Sequence, residues 1–96
     1  MKKYILNKYS KEYKKISSLG YKDIILKEIE PNSNTDFHAH EFGAYACVVK
    51  GQFIVNDTKI NHILNPGDFL AVNANQKHSE KTSAEGATLL LGKKYN

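Results

Sequence analysis

At 96 residues the chain has room for one domain around one hydrophobic core, and a single domain is expected. Its 41% hydrophobic and 25% charged residues describe a globular chain, neither disordered nor membrane-embedded, and the single cysteine, Cys47, rules out an intramolecular disulfide framework and a cysteine-rich zinc site. The net charge of +4 rests on lysine with no arginine; lacking the bidentate guanidinium and any helix-turn-helix, RNP-like or zinc-finger pattern, the chain is expected to have no nucleic-acid partner.

From Met1 to Ser18 the residues Tyr4, Ile5, Leu6, Tyr9, Tyr13 and Ile16 recur among lysines at spacings that fit either a loose helical stripe or an irregular arm. Asn7, Lys8, Lys11 and Glu12 interrupt this stretch, so it holds no apolar core of a signal peptide, and no run is long enough to span a membrane. With one unpaired cysteine, the expectation is a cytoplasmic protein with no membrane partner. The expected organisation is an N-terminal arm over 1–20 and a single domain over 21–96, the arm packing along the domain's wall or across a second copy.

After Ser17, Ser18 and Gly20 the pattern changes to short β-prone runs separated by turn residues, as in an all-β barrel or sandwich. Asp23 to Glu30 is the first run, stopped by Pro31 and turned by Asn32, Ser33 and Asn34. Phe37 to His40 resumes an extended segment. Ala44 to Val49 reads as a strand buried on both faces and closed by Gly51. Gln52 to Val55 and Thr58 to Leu64 flank Asn56-Asp57, a two-residue hairpin signal. Asn65-Pro66-Gly67-Asp68 is a second turn, Phe69 to Val72 a short strand, Asn73 to Gln76 a loop, and Ala87 to Leu91 the last strand. No pattern for a core helix follows Gly20.

Side chains two apart on a strand point the same way, so His38-Ala39-His40 offers two imidazoles to one ion, and a third ligand has to come from elsewhere in the fold. His78 sits at the end of a short loop after a strand. In these residues the sequence resembles the cupin superfamily, over roughly Ile24 to Lys93. The first cupin motif, G-x5-H-x-H-x3,4-E-x6-G, is matched by Asn32, His38, His40 and Gly51. The second, G-x5-P-x-G-x2-H-x3-N, is matched in length by Gly67 through His78, with Asn73 and Asn75 in place of proline and glycine. Asn is the residue after glycine that best tolerates positive φ, so Asn32 and Asn75 can hold turns that glycine makes in the family. The resemblance implies an all-β, cupin-type double-stranded β-barrel (jelly roll) and a divalent metal held by His38, His40 and His78; zinc, iron, nickel, manganese and copper are not distinguished.

One departure stands out: where the family carries a glutamate ligand, this chain has Ala44, or Tyr45 at the longer spacing. Glu41 follows His40 directly and on a regular strand points to the opposite face, so only a bulge brings it to the metal; otherwise water completes the site. Three neutral imidazoles leave an ion its full charge, which favours anionic or chelating small molecules. His62 lies outside both motifs and reads as a strand-surface residue. Cys47, of parity opposite to Ala44, reads as a small buried hydrophobe. No catalytic residue is evident and the fold selects no reaction. The expectations are a metal-dependent enzyme on a small-molecule substrate or, alternatively, a metal-free or degenerate cupin that binds or senses a small molecule. The outer apolar face of Ala44 to Val49 needs a cover, and a homodimer is the expected assembly.

Overall fold

The computed structural model describes residues 2–95, so Met1 of the expected arm and Asn96 of the expected barrel lie outside the described residues. The arm is helical: α1 spans Lys2–Lys8 and α2 spans Ser10–Ser18. Ile5, Tyr9, Tyr13 and Ile16 follow one another by four, four and three residues, which places them on one helical face. At Tyr9 the backbone leaves helical geometry (φ −124°, ψ 37°), yet the amide of Tyr9 still donates to Ile5 O at 2.7 Å and that of Tyr13 to Tyr9 O at 2.9 Å, which keeps the stripe in phase.

Five strands follow: β1 Lys22–Ile29, β2 Gly43–Asn56, β3 Asn61–Leu64, β4 Phe69–Val72 and β5 Ser79–Lys94. The long strands β2 and β5 pair antiparallel along their lengths and form the spine. The second half of β5 pairs on its other edge with β1, while β2 pairs on its other edge first with β4 and then with β3. The spine bends where Gly51 lies opposite Ala87, and the register shifts on both sides of that point. Gly51 (φ +78°) and Gly86 (φ +68°) make the bend: a Cβ on Gly51 would stand 2.2 Å from Gly86 O, so glycine is required both for φ and for space.

The bend folds the ribbon over on itself, and two cores result. Inside, Ala46, Val48, Phe53, Val55, Leu64, Ala87 and Leu89 meet from both halves. Outside, the opposite parity of the same strands presents Tyr45, Cys47 and Leu90, and α1 and α2 cover them with Ile5 and Ile16. Both isoleucines are buried completely or nearly so, which contributes about 1.5–3 kcal/mol each. The close approach of α2 depends on Gly92, where a Cβ would come within 2.7 Å of Ile16 Cγ2. The doubly apolar strand therefore finds its outer cover within its own chain.

Several boundaries differ from the sequence reading. Ala44 to Val49 and Gln52 to Val55 are one bent 14-residue strand. The last strand begins eight residues before Ala87, because Ser79–Glu85, weak in β propensity, is held by its neighbour β2. Asn56-Asp57 is not a two-residue turn: Asp57 closes a longer connection, its Oδ1 accepting from the amides of Lys59 and Ile60 at 2.9 Å. Asn65–Asp68 turns as expected, with the amide of Asp68 donating to Asn65 O at 2.8 Å and Gly67 at φ +95°. Asn32 (φ 56°) and Asn75 (φ 63°) do adopt the left-handed conformation.

Candidate metal centre

The segment between β1 and β2 forms no regular strand. It runs beside the first half of β5, touching it through isolated bridges of Asn34 with Lys81 and His38 with His78. Four residue steps on this segment oppose three on β5, so one residue is extra. At the site the pairing is firm: His38 N donates to His78 O at 2.8 Å and His78 N to His38 O at 2.9 Å. His40 is anchored by its carbonyl, which accepts from the amide of Asn75 at 2.6 Å; the positive φ of Asn75 thus bears directly on the site.

His38, His40 and His78 converge. Their ring centroids lie 5.0 Å (His38 to His40), 4.5 Å (His38 to His78) and 5.4 Å (His40 to His78) apart. A fourth donor, Glu80, joins them, and one ligand atom from each of the four residues lies within 4.8 Å of every other. Glu80 on β5 is two residues beyond His78, whose bridge to His38 prolongs the extended backbone, so both side chains point to the same face. Thr35 fixes its main chain, accepting from Glu80 N through Oγ1 at 2.9 Å and donating its own amide to Glu80 O at 2.9 Å.

The carboxylate thus comes from a position that the family motif does not point to. Ala44, in the glutamate's place, does face the cavity; Tyr45 faces the helices, and Glu41 is exposed and stands outside the four-residue group. Of the two carboxylates, Glu41 stands outside the group and Glu80, which the sequence reading did not single out, stands within it. The rule that selected His38-x-His40 applies equally to His78-x-Glu80, and this was the sequence signal available. His62 lies on β3, where its Nε2 pairs with Asp57 Oδ2 at 2.8 Å, and takes no part in the cluster. Cys47 is buried on the helix-covered face, and burial pushes its thiol pKa up, away from nucleophilic character.

Local hydrogen bonds set the protons. Nδ1 of His38 is 2.8 Å from Asp36 O and Nδ1 of His78 is 2.9 Å from Gln76 O. A carbonyl only accepts, so each Nδ1 carries a proton, and a ring without a second proton presents an Nε2 lone pair inward. Those lone pairs face Glu80 Oε2, at 3.2 Å from His78 and 4.0 Å from His38. Two acceptors at 3.2 Å repel unless a proton or a metal cation stands between them. The pKa of His40 is lowered, by burial first and then by the neighbouring His38 and His78, which favours its neutral ring. The donor set therefore fits a divalent ion: bonds of about 2.0–2.2 Å place two ligand atoms on one ion no more than about 4.4 Å apart, a few tenths of an ångström inside the observed spread.

The four residues line one side of a cavity of ≈ 410 Å³ inside the barrel. Ile25, Leu70, Val72, Leu89 and Leu91 form much of its wall, and Lys27 and Lys93 stand among them. Phe42 stacks on His40, with centroids 4.9 Å apart and planes 14° apart, and carries the Lys93 ammonium 4.7 Å above its ring. No helix among the described residues is long and apolar enough to cross a membrane.

No family model and no curated protein matches the sequence. Solved structures do match. A cupin superfamily protein from Desulfitobacterium hafniense aligns with a TM-score of 0.68 at 15% identity, covering 76% of this chain and 66% of the other. A cupin-2 domain protein from Shewanella frigidimarina aligns with a TM-score of 0.61 at 16% identity, covering 71% of this chain and 65% of the other. KdgF from a Halomonas species aligns with a TM-score of 0.63 at 19% identity, covering 76% and 68%. This chain thus spans about two thirds of the length of those proteins. Identities this low speak for architecture alone: the chain has the cupin fold, a small jelly-roll β-barrel.

Proposed function

We propose that this protein binds one divalent metal ion through His38, His40, His78 and Glu80 and holds a small, anionic molecule in the cavity beside it. The observation that carries this reading is the convergence of one ligand atom each from His38, His40, His78 and Glu80 to within 4.8 Å of one another inside a largely apolar cavity. A bound ion supplies Lewis acidity and open coordination positions for an anionic group. The protein's part is to fix the tautomers of His38 and His78 through Asp36 O and Gln76 O, to keep His40 neutral, and to exclude bulk water with the aliphatic wall.

Element-resolved metal analysis of protein purified without a histidine tag tests the reading. Wild-type protein is expected to retain close to one ion per chain, and the His78→Ala and Glu80→Ala variants to lose it. Equal metal content in all three refutes it. Screening small acids and their neutral analogues by thermal denaturation then separates a folded-state ligand from an inert solute, because binding to the native form raises the midpoint; turnover is read in a separate product assay.

The proposal places arm and barrel in one cytoplasmic folding unit. α1 and α2 cover the strand face that suggested a twin subunit, so a homodimer now draws its support from exposed apolar residues elsewhere, among them Ile60 and Ile63 near the outer edge of β3. Light scattering at micromolar concentration decides it, and a single-chain mass removes it.

A further inference from the structure

The interior wall of a small barrel is built from apolar residues at every second strand position, and this one departs from that rule twice. On β1 the inward positions read Ile25, Lys27, Ile29; on β5 they read Leu89, Leu91, Lys93; all six line the metal cavity. Neither lysine is paired with an acid: among the described residues no carboxylate oxygen stands within 4.0 Å of either ammonium. Among the described residues Glu80 is the only acidic one lining the cavity, and its carboxylate is turned to the imidazoles. Lys27 is exposed and Lys93 half-buried, so their stems cover the wall while the charged ends reach the mouth. Lys93 is further positioned by Phe42, itself stacked on His40, which puts this ammonium one ring away from the metal donors.

We propose that Lys27 and Lys93 form an anion clamp, and that the molecule held beside the metal is an organic carboxylate with an apolar body. The inference rests on the metal reading for the ion, whereas the clamp stands on the lysines. With a divalent ion bound, one carboxylate faces three cationic centres, and an anion entering between them relieves their repulsion. The identity of the anion follows from the rest of the lining. The cavity offers no arginine, glycine-rich loop or helix N-terminus of the kind that cradles phosphate; Ile25, Leu70, Val72 and Leu91 offer surface to a hydrocarbon body instead. A carboxylate has two oxygens, enough to meet an ammonium and the metal together.

The clamp predicts effects of opposite sign from one substitution. Lys93→Met keeps the stem and removes the charge. In zinc-loaded protein it is expected to weaken hexanoate binding about tenfold, the scale of one charged hydrogen bond, and to tighten zinc binding severalfold when no carboxylate is present. Lys27→Met is expected to weaken hexanoate in the same direction. Calorimetric titration of hexanoate, hexanamide and inorganic phosphate, with zinc affinity measured in parallel, reads all of this. Wild-type protein should prefer hexanoate to both other probes. The clamp is overturned if hexanamide or phosphate binds as well as hexanoate, or if both methionine variants bind hexanoate like wild type. Should zinc fail to bind wild-type protein, the metal reading falls by itself. The hexanoate titrations of metal-free wild-type and methionine variants then decide the clamp, with lysine dependence upholding it and equal binding overturning it. The preference of wild-type protein for hexanoate over hexanamide needs no variant to fold.

Discussion

Glu80→Gln removes one negative charge from the site and leaves its shape. In the metal-free protein the carboxylate oxygen is 3.2 Å from one Nε2 lone pair and 4.0 Å from another, an arrangement with no donor when all three groups are unprotonated. The glutamine amide supplies a donor to His78, so the variant is expected to fold with wild-type stability or slightly above it. Metal binding moves the other way. A pair of unit charges at about 4 Å gains about 4 kcal/mol at an effective dielectric of about 20, and a divalent ion doubles this. Glu80 is 29% exposed, which returns much of the gain to solvent screening, and the amide oxygen keeps a weak ligand in place. A loss of about 2 kcal/mol remains, close to 30-fold in the dissociation constant. Competition against a chromophoric chelator at pH 7.5 measures it for zinc or cobalt, with Glu41→Gln as the control. Metal affinity within about threefold of wild type, or an equal loss in Glu41→Gln, would falsify the assignment of Glu80 as a ligand.

Three further outcomes follow from the packing. Gly51→Ala forces a Cβ to 2.2 Å from Gly86 O at a φ of +78°, so a loss of at least about 3 kcal/mol in urea denaturation is expected; a loss under 1 kcal/mol would show that the bend is not built as described. Ile16→Ala empties a site that is 1% exposed and should cost about 2–5 kcal/mol in a single cooperative transition of the whole chain, with metal affinity unchanged because the helices lie on the other side of the sheet. Two separate transitions would mean that arm and barrel fold apart. Asp57 is held well below the usual carboxylate range, chiefly by its hydrogen bond from His62 and then by the amides of Ile60 and Lys59. A depressed folded-state pKa stabilises above the unfolded value of about 4 and loses that contribution as pH falls through the folded one. The urea midpoint of Asp57→Asn should therefore lie below wild type at pH 7 and converge with it on acidification; a gap that widens below pH 4 contradicts the argument.

Apart from the Asn56-Asp57 connection, the turns were legible in the sequence, because a residue such as Asn32, Asn75 or Gly67 takes positive φ for reasons contained in itself. The convergence of His38 and His40 was legible too, though not for the reason first given. The segment carrying them is no regular strand, and its position depends on main-chain bonds to His78 and Asn75 that no local pattern reveals. Glu80 escaped because the family motif directs attention to the residues after His40, while the alternation rule on β5 carries no such direction. The first half of β5 carried no strand signal, since Ser79, Glu80 and Lys81 have little intrinsic preference for a strand and obey partners far away in sequence. The helical arm was ambiguous for the opposite reason. Its stripe is regular, but nine residues of lysine-rich helix are marginal without the sheet beneath them.

The irregular stretch beside β5 has one more role than carrying two histidines. By donating to Ser83 O and Glu80 O and accepting from the amides of Thr82 and His78, it occupies main-chain groups along a strand margin that would otherwise be open. An open margin of this sort is a template for a neighbouring polypeptide. Damage to the stretch, for instance a proline in place of Thr35 whose amide is one of the donors, is therefore expected to do two harms at once: it scatters half of the ligand set and leaves the protein prone to self-association.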